Sequence, residues 1–157
     1  MVINKKSVHI STIRSHLPFA GRLIDLLLTM AKHTGNKMIT LAIVGSRSFT
    51  DYTLLKHTLE DLYPDRTNIT EIVSGGARGA DMLAERYAKE YGIRMIRLSP
   101  RWITDKVYNP RAGFERNEQI VKRADHVIAF WDGKSTGTRD SINHAKRLKR
   151  RLDEVSF

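Results

Sequence analysis

The chain has 157 residues, a formal net charge of +10 and a hydrophobic content of 41%, values typical of a water-soluble globular domain with a sizeable core. It contains no cysteine, which excludes disulfides, a thiol nucleophile and cysteine metal ligands and fits a cytoplasmic location. Its six histidines follow no ligand spacing, and no apolar run approaches about 20 residues. We therefore expect no metal, no cofactor and no membrane contact.

Residues 1–37 form a basic N-terminal extension, with six lysines or arginines and one acid. Apolar residues recur at helical spacing from Leu17 to Ala31, which predicts an amphipathic helix over about 18–32. We expect this helix to pack on its own domain or on a neighbouring subunit. The alternative is a poorly ordered extension.

Beyond residue 37 the chain alternates β-rich apolar runs with runs of helical spacing. The predicted strands are 39–44, 71–73, 94–98 and 126–131, with a short edge strand at 154–157. The predicted helices are 51–62, 80–91, 115–122 and 140–150, and 99–113 is a longer loop. This alternation predicts a Rossmann-like three-layer α/β sandwich with a mostly parallel sheet of four or five strands over 38–157.

Glycine-bearing turns follow three of the predicted strands, at 45–47, 74–79 and 132–138. Right-handed crossovers place these turns at one edge of the sheet. Ligands of open α/β sheets bind at that edge, outside the carboxyl ends of the strands. Three such turns at one edge indicate a ligand site more strongly than any one of them.

The turn at 74–79 has three glycines in five positions and opens onto a helix. Glycine permits close approach of a ligand to the backbone, and a helix N-terminus attracts anions. The alternative is a tight turn without a ligand, and the turn matches neither a P-loop nor the dinucleotide fingerprint. The candidate binding residues of this turn are Ser74, Gly75, Gly76, Ala77, Arg78 and Gly79.

With these turns in view, the chain resembles the YspA-like branch of the SLOG superfamily, which includes the Lonely Guy nucleotide hydrolases and the DNA-processing protein DprA. The resemblance covers about residues 39–150. It implies a Rossmann-type fold that binds nucleotides or nucleotide-derived signals, including ADP-ribose derivatives. The matching segments are 43–47, 73–81, 112–113, 116–117, 124–133 and 137–138.

Lonely Guy enzymes cut the N-glycosidic bond of nucleoside monophosphates, and the resemblance places Arg116 at their functional arginine. Their glutamate, which stabilises positive charge developing on the ribose, corresponds to Ser141 here. Asp140 is one residue off, about 100° away on a helix. We therefore expect binding, by sensing or sequestration. The alternative is a phosphoribohydrolase with Arg116, Asp140 and Asp81 as catalytic candidates.

The other candidate residues each have a structural alternative. Arg47 and Arg116 suit phosphate clamping or surface ion pairs, and Asp81 suits ribose hydroxyls or the helix dipole. Trp131 suits base stacking or the core, whereas Trp102 is assigned to packing. The remaining ligand-binding candidates are Gly45, Ser46, Asn117, Asp132, Gly133, Ser135, Thr136, Gly137 and Thr138.

The expected partner is a nucleotide-derived small molecule. SLOG relatives commonly dimerise through helices, so the resemblance together with the apolar stripe at 18–32 predicts a homo-oligomer, a dimer or larger. Single-stranded DNA, as in DprA, is a less favoured partner. It is suggested by the pI of about 10.1 and the basic run at 146–151, a run that is also typical of a solvated helix end.

Overall fold

The computed structural model describes residues 37–157. The predicted helix at 18–32 lies outside these residues. The helices are α1 (Tyr52–Leu62), α2 (Ala80–Tyr91), α3 (Ala112–Arg123) and α4 (Thr136–Arg147). The strands are β1 (Ile39–Gly45), β2 (Ile69–Ser74), β3 (Arg94–Arg97), β4 (Ile103–Thr104), β5 (Val107–Tyr108), β6 (His126–Trp131) and β7 (Arg151–Ser156).

Five of the strands form one sheet in the order β3-β2-β1-β6-β7, and every neighbouring pair is parallel. This confirms the predicted Rossmann-like α/β fold. The first two crossovers extend the sheet from β1 towards β3, and the later ones extend it from β6 towards β7. The strand order therefore reverses between β1 and β6, where open α/β sheets bind ligands.

Helices cover both faces of the sheet because successive side chains of a strand point to opposite faces. In β1, Leu41 and Ile43 pack in the core formed with α1 and α2. Ala42 and Val44 pack in the second core, with α3 and α4. The nearly continuous apolar sequence of β1 follows from burial on both faces.

Three elements begin three or four residues before their expected starts. α3 begins at Ala112, three residues early, and α4 begins at Thr136, so the expected turn at 132–138 is shorter. β7 begins at Arg151, because the chain turns at Lys149, whose φ is 52°. Among residues 37–157, no helix combines the length and apolarity needed to cross a membrane.

The loop expected at 99–113 contains a small hairpin, β4 and β5, paired antiparallel. Its two connecting residues, Asp105 and Lys106, have φ of 51° and 65°. Two positive φ values are the signature of a type I′ turn, whose twist matches a hairpin. The hairpin is joined to α3 because the Asn109 side chain accepts from the Arg111 N–H and donates to Glu115.

Candidate functional site

A cleft of about 690 Å³ lies at the carboxyl ends of β1 and β6. Its walls come from the turns that follow these two strands, the start of α2, one side of α3 and the hairpin loop. Eleven predicted site residues line it, namely Gly45, Arg47, Ala77, Asp81, Arg116, Asn117, Asp132, Ser135, Thr136, Gly137 and Thr138.

Arg116 projects from α3 into this cleft and covers Gly75, where an added Cβ would collide with the guanidinium. Its Nε atom is buried and has no hydrogen-bond partner in the described structure. Burial lowers the pKa of Arg116, Asp81 opposes that shift and Arg47 adds to it. A part-buried guanidinium with unused donor capacity beside a second arginine is suited to a phosphate or a carboxylate.

Asp81 is buried in the first turn of α2, with an exposure of 6%. Its Oδ2 accepts a hydrogen bond from the Ala77 N–H at 3.1 Å. Burial raises the pKa of Asp81, and the Ala77 N–H and Arg116 partly offset that rise. The carboxylate thus occupies the anion position at the start of α2, which corresponds to the helix-dipole alternative for this residue.

The glycines of the β2–α2 turn accommodate parts of the protein itself. An added Cβ at Gly76 would meet the Arg97 side chain, and one at Gly79 would meet the backbone of Ser46 and Arg47. Arg78 is exposed. The structure does not place Ser74, Gly75, Gly76, Arg78 or Gly79 among the cleft-lining residues.

The β6–α4 turn is held by Asp132, which accepts from the N–H groups of Lys134 at 2.9 Å and Ser135 at 2.8 Å. These two hydrogen bonds are the largest causes that lower the pKa of Asp132 to about 2, and the Ser48 hydroxyl, which donates to Oδ2 at 3.2 Å, also lowers it. The Ser46 hydroxyl, itself buried, accepts from the Asp132 N–H at 3.2 Å. The turn therefore has a fixed shape without a ligand.

Ser135 is the N-cap of α4, and its Oγ accepts from the Thr138 N–H at 3.3 Å. The first N–H groups of a helix have no intrahelical acceptor. With Ser135 and Thr138 already bonded, those of Thr136 and Gly137 remain for a ligand at the cleft wall. A helix N-terminus with free N–H groups binds anions.

Trp131 does not line the cleft. Its indole N–H donates to the Ser135 carbonyl at 3.1 Å, its ring packs against the second core, and Arg139 lies over it. Trp131 therefore stabilises the β6–α4 turn without contributing to the cleft lining. Gly133 is exposed at the tip of this turn with φ of 74°.

Asp140 also lies outside the cleft lining, in a neighbouring groove. It accepts from the Asn117 amide at 3.1 Å and lies 3.4 Å from His144 Nε2. The cleft is lined instead by Ser141, whose hydroxyl donates to the Gly137 carbonyl. Within residues 37–157 no group of His, Asp or Glu could hold a metal ion.

Several residues that line the cleft were not predicted from the sequence. Trp102, assigned to packing, lines the cleft and is 45% exposed, and Phe114 is 46% exposed. The loop at 99–113 is longer than about 12 residues and contains an aromatic side chain. These two features are the sequence signal that could have identified it as functional. The other cleft residues that were not predicted are Val44, Ser48, Pro110, Gly113, Ile120, Lys134 and Ser141.

The fold and cleft define an α/β protein of the Rossmann-like class with arginines at its strand-order reversal. The family model of the YspA, cpYpsA-related SLOG family matches residues 39–104. The Gene 61 protein of Mycobacterium phage D29 is 33% identical over 118 residues, which cover 70% of this chain and 90% of that protein. The chain belongs to this SLOG family.

A solved structure of DNA processing protein A from Helicobacter pylori resembles the chain with a TM-score of 0.59 and 25% identity. The match covers 75% of this chain, which spans 65% of the length of that chain. The study of that protein concerns its mode of single-stranded DNA binding.

Proposed function

We propose that this domain binds a nucleotide or a nucleotide-derived signal, such as an ADP-ribose derivative, and acts as a sensor or a sequestering protein. The observation that carries the proposal is Arg116. Its guanidinium is held in a preformed cleft, and its buried Nε lacks a partner in the described structure. Burial and the neighbouring Arg47 both disfavour the charge on this guanidinium, so an anionic ligand in the cleft is favoured.

The proposed phosphate position lies between the two arginines and the start of α4. Arg47 and Arg116 supply charge, and Thr136 and Gly137 supply N–H groups. Asp132 is engaged by backbone N–H groups, and Asp81 is engaged by Ala77. Because both lining carboxylates have internal partners, the open side of the cleft favours an anion.

Binding is favoured over hydrolysis by the carboxylates of the cleft. Ser141 lines the cleft at the position where the resemblance expects a glutamate, and Asp140 is outside the lining. The remaining carboxylate among the catalytic candidates, Asp81, is buried and accepts a hydrogen bond from the Ala77 N–H. Chromatography after incubation with AMP tests this point, and release of adenine would establish the phosphoribohydrolase alternative.

A thermal-shift panel of nucleoside monophosphates, NAD, ADP-ribose and cyclic ADP-ribose isomers tests the proposal. A ligand at 100 times its Kd stabilises the folded state by about 2.7 kcal/mol. We expect at least one member to raise Tm, while uncharged nucleosides do not. An unchanged Tm across the panel, with no nucleotide co-purifying by mass spectrometry, would contradict the proposal.

Single-stranded DNA is the second candidate ligand, favoured by the likeness to DNA processing protein A and by the net charge of +10. Such binding weakens with salt, with a log–log slope of about −0.7 per phosphate contacted. Filter binding of an oligonucleotide at salt concentrations between about 50 and 200 mM measures that slope. Absent or salt-independent binding would exclude this candidate.

We also propose a homo-oligomer that depends on the predicted helix at 18–32. Light scattering of the full chain and of a chain starting at Met38 tests it. Burial of each Leu or Ile of the stripe is worth about 1.5–3 kcal/mol, so truncation should lower both the mass of the assembly and its Tm. Equal masses and equal Tm values would contradict the packing of this segment.

A further inference from the structure

An exposed aromatic face lies beside the cationic cleft. Trp102 forms part of the cleft lining and is 45% exposed, and neighbouring Tyr108 is 65% exposed. The two rings are nearly parallel, with 12° between their planes and 6.3 Å between their centroids. Large aromatic side chains left partly in water at the edge of a polar cleft are suited to a flat, apolar ligand group.

The indole is held in position by α3. The Asn109 N–H donates to the Trp102 carbonyl at 2.8 Å, and the Asn109 side chain bonds Glu115. A Cβ added at Gly113 would lie 3.5 Å from Trp102 Cη2, so the ring rests directly on the start of the helix. The orientation of the ring is therefore coupled to the helix that also carries Arg116.

Gly113 and Arg116 are three residues apart on α3, a spacing that puts side-chain positions about 5–6 Å from each other. An aromatic face and a phosphate-binding guanidinium are thus fixed on one side of one helix. Because Trp102 and Arg116 line the same cleft, this arrangement suits a ligand that carries both a planar ring and a phosphate.

We propose that Trp102 stacks on the base of the bound nucleotide and so makes the site select nucleotides over sugar phosphates. This inference rests on the proposed function, because it needs a phosphate held at Arg116. Stacking of a base on an aromatic side chain is worth about 1–3 kcal/mol by alanine substitution. The contact tolerates different bases, since every base has a π-face.

Calorimetric titration with AMP, ADP-ribose and ribose 5-phosphate tests the inference on the full chain. Trp102→Ala should weaken AMP or ADP-ribose binding by about 5- to 150-fold, the equivalent of that stacking energy. Ribose 5-phosphate, which has no base, should bind the variant and the wild type equally. Trp102→Phe keeps an aromatic face and should recover most of the affinity.

Ile103→Ala is the matched control, because Ile103 is 71% exposed on the same hairpin and does not line the cleft. It should leave all three affinities unchanged. AMP should also quench tryptophan fluorescence in the wild type but not in Trp102→Phe, where Trp131 is the remaining tryptophan.

The outcomes separate the two proposals. Unchanged AMP and ADP-ribose affinity in Trp102→Ala, or equal losses for ribose 5-phosphate, would overturn the stacking role while leaving nucleotide binding in place. The same holds if Trp102→Ala alters only the mass of the assembly. Failure of the wild type to bind any of the three probes, with no rise in Tm across the nucleotide panel, would overturn the proposed function and the stacking role together.

Discussion

The β2–α2 turn and the β6–α4 turn lie at the same edge of the sheet but differ in what occupies the space beside them. The β2–α2 turn is rich in glycine, yet its space is filled by Arg116, Arg97 and the backbone of Arg47. The β6–α4 turn has less glycine near its helix, yet the N–H groups of Thr136 and Gly137 face the cleft without an internal acceptor. The start of α2 is occupied by the carboxylate of Asp81, so we call the β2–α2 turn the closed turn. We call the β6–α4 turn the open turn, because the first N–H groups of α4 have no such partner among residues 37–157.

The difference shows what a glycine-rich turn does and does not indicate. Glycine marks a place where something approaches the backbone closely. That object is as readily another part of the chain as a ligand. In this family member, the glycines of the first turn allow Arg116 to reach the cleft, and the second turn supplies free donors.

The largest expected effect on stability comes from adding a side chain at Gly79 in the β2–α2 turn. Gly79 has φ of 80° and ψ of −132°, and an added Cβ would lie 2.8 Å from Arg47 Cα. Gly79→Ala should lower the free energy of unfolding by about 2–6 kcal/mol, from backbone strain and overpacking together. Urea denaturation measures the loss.

Gly133→Ala is the control in the open turn, since Gly133 has φ of 74° but no atom within 4 Å of the added Cβ. Its cost should be the strain alone, about 1–2 kcal/mol. Equal losses at the two positions would show that the closed turn is not closed by packing.

The second effect concerns the two arginines that meet the closed turn. Arg116→Gln should weaken nucleotide binding by about 10- to 150-fold, because a charge-assisted hydrogen bond is worth about 1.5–3 kcal/mol. Arg97→Gln removes the arginine over Gly76, which pairs with Glu85 at 2.6 Å on the surface. It should leave the affinity unchanged. Equal losses would mean that the ligand reaches the closed turn as well.

The third effect compares two helix caps. Ser135 caps α4 at the open turn, and Asp51 caps α1 by accepting from the Leu54 N–H at 2.8 Å. Each alanine substitution should cost about 0.5–2 kcal/mol of stability. Only Ser135→Ala should also weaken ligand binding, because it loosens the N–H groups of Thr136 and Gly137. A matching loss of affinity in Asp51→Ala would assign the effect to global stability.

The smallest effect is a difference in pH dependence between Asp132 and Asp81. The pKa of Asp132 is lowered to about 2 from its ordinary 3.8. Its contribution to stability is therefore present above pH 3.8 and is lost as pH falls towards 2. The stability deficit of Asp132→Asn should accordingly shrink in acid, as measured by denaturation at a series of pH values.

Asp81 should behave in the opposite sense, since burial raises its pKa. Its charged form is disfavoured in the folded state, so wild-type stability falls as pH rises through 3.8 towards the raised pKa. Asp81→Asn, which retains an acceptor for the Ala77 N–H, should gain relative stability over that interval. If the difference in unfolding free energy between wild type and variant changed with pH in the same direction for both variants, the two turns would not differ in this respect.

Much of the fold could be predicted because its causes are local. The apolar run of β1 and the alternation of strands and helices determine a covered parallel sheet. The helix starting near Thr136 was expected four residues later, since hydroxyl residues are ambiguous between a turn and the first turn of a helix. The cleft at the carboxyl ends of β1 and β6 follows from topology.

The closed turn and the aromatic rim depend on contacts that local patterns do not reveal. Nothing in residues 74–79 indicates that Arg116, far along the chain, covers Gly75. The hairpin escaped prediction because Asp105 and Lys106 adopt positive φ without a glycine. With that hairpin unseen, Trp102 had no predicted neighbour except the core.

The central position of β1 has a kinetic consequence. β1 pairs with β6 across a long stretch of chain, so that Ala42 lies beside Val127, and the cleft lies at the carboxyl ends of these two strands. Such non-local pairing slows folding, because the loop must close before its contacts stabilise it. A nascent chain that ends before β6 has no turn leading into α4, so the proposed ligand site exists only after both strands are joined. The ligand should therefore slow unfolding and leave the folding rate unchanged. A bound ligand would then slow degradation of the folded domain without speeding its formation.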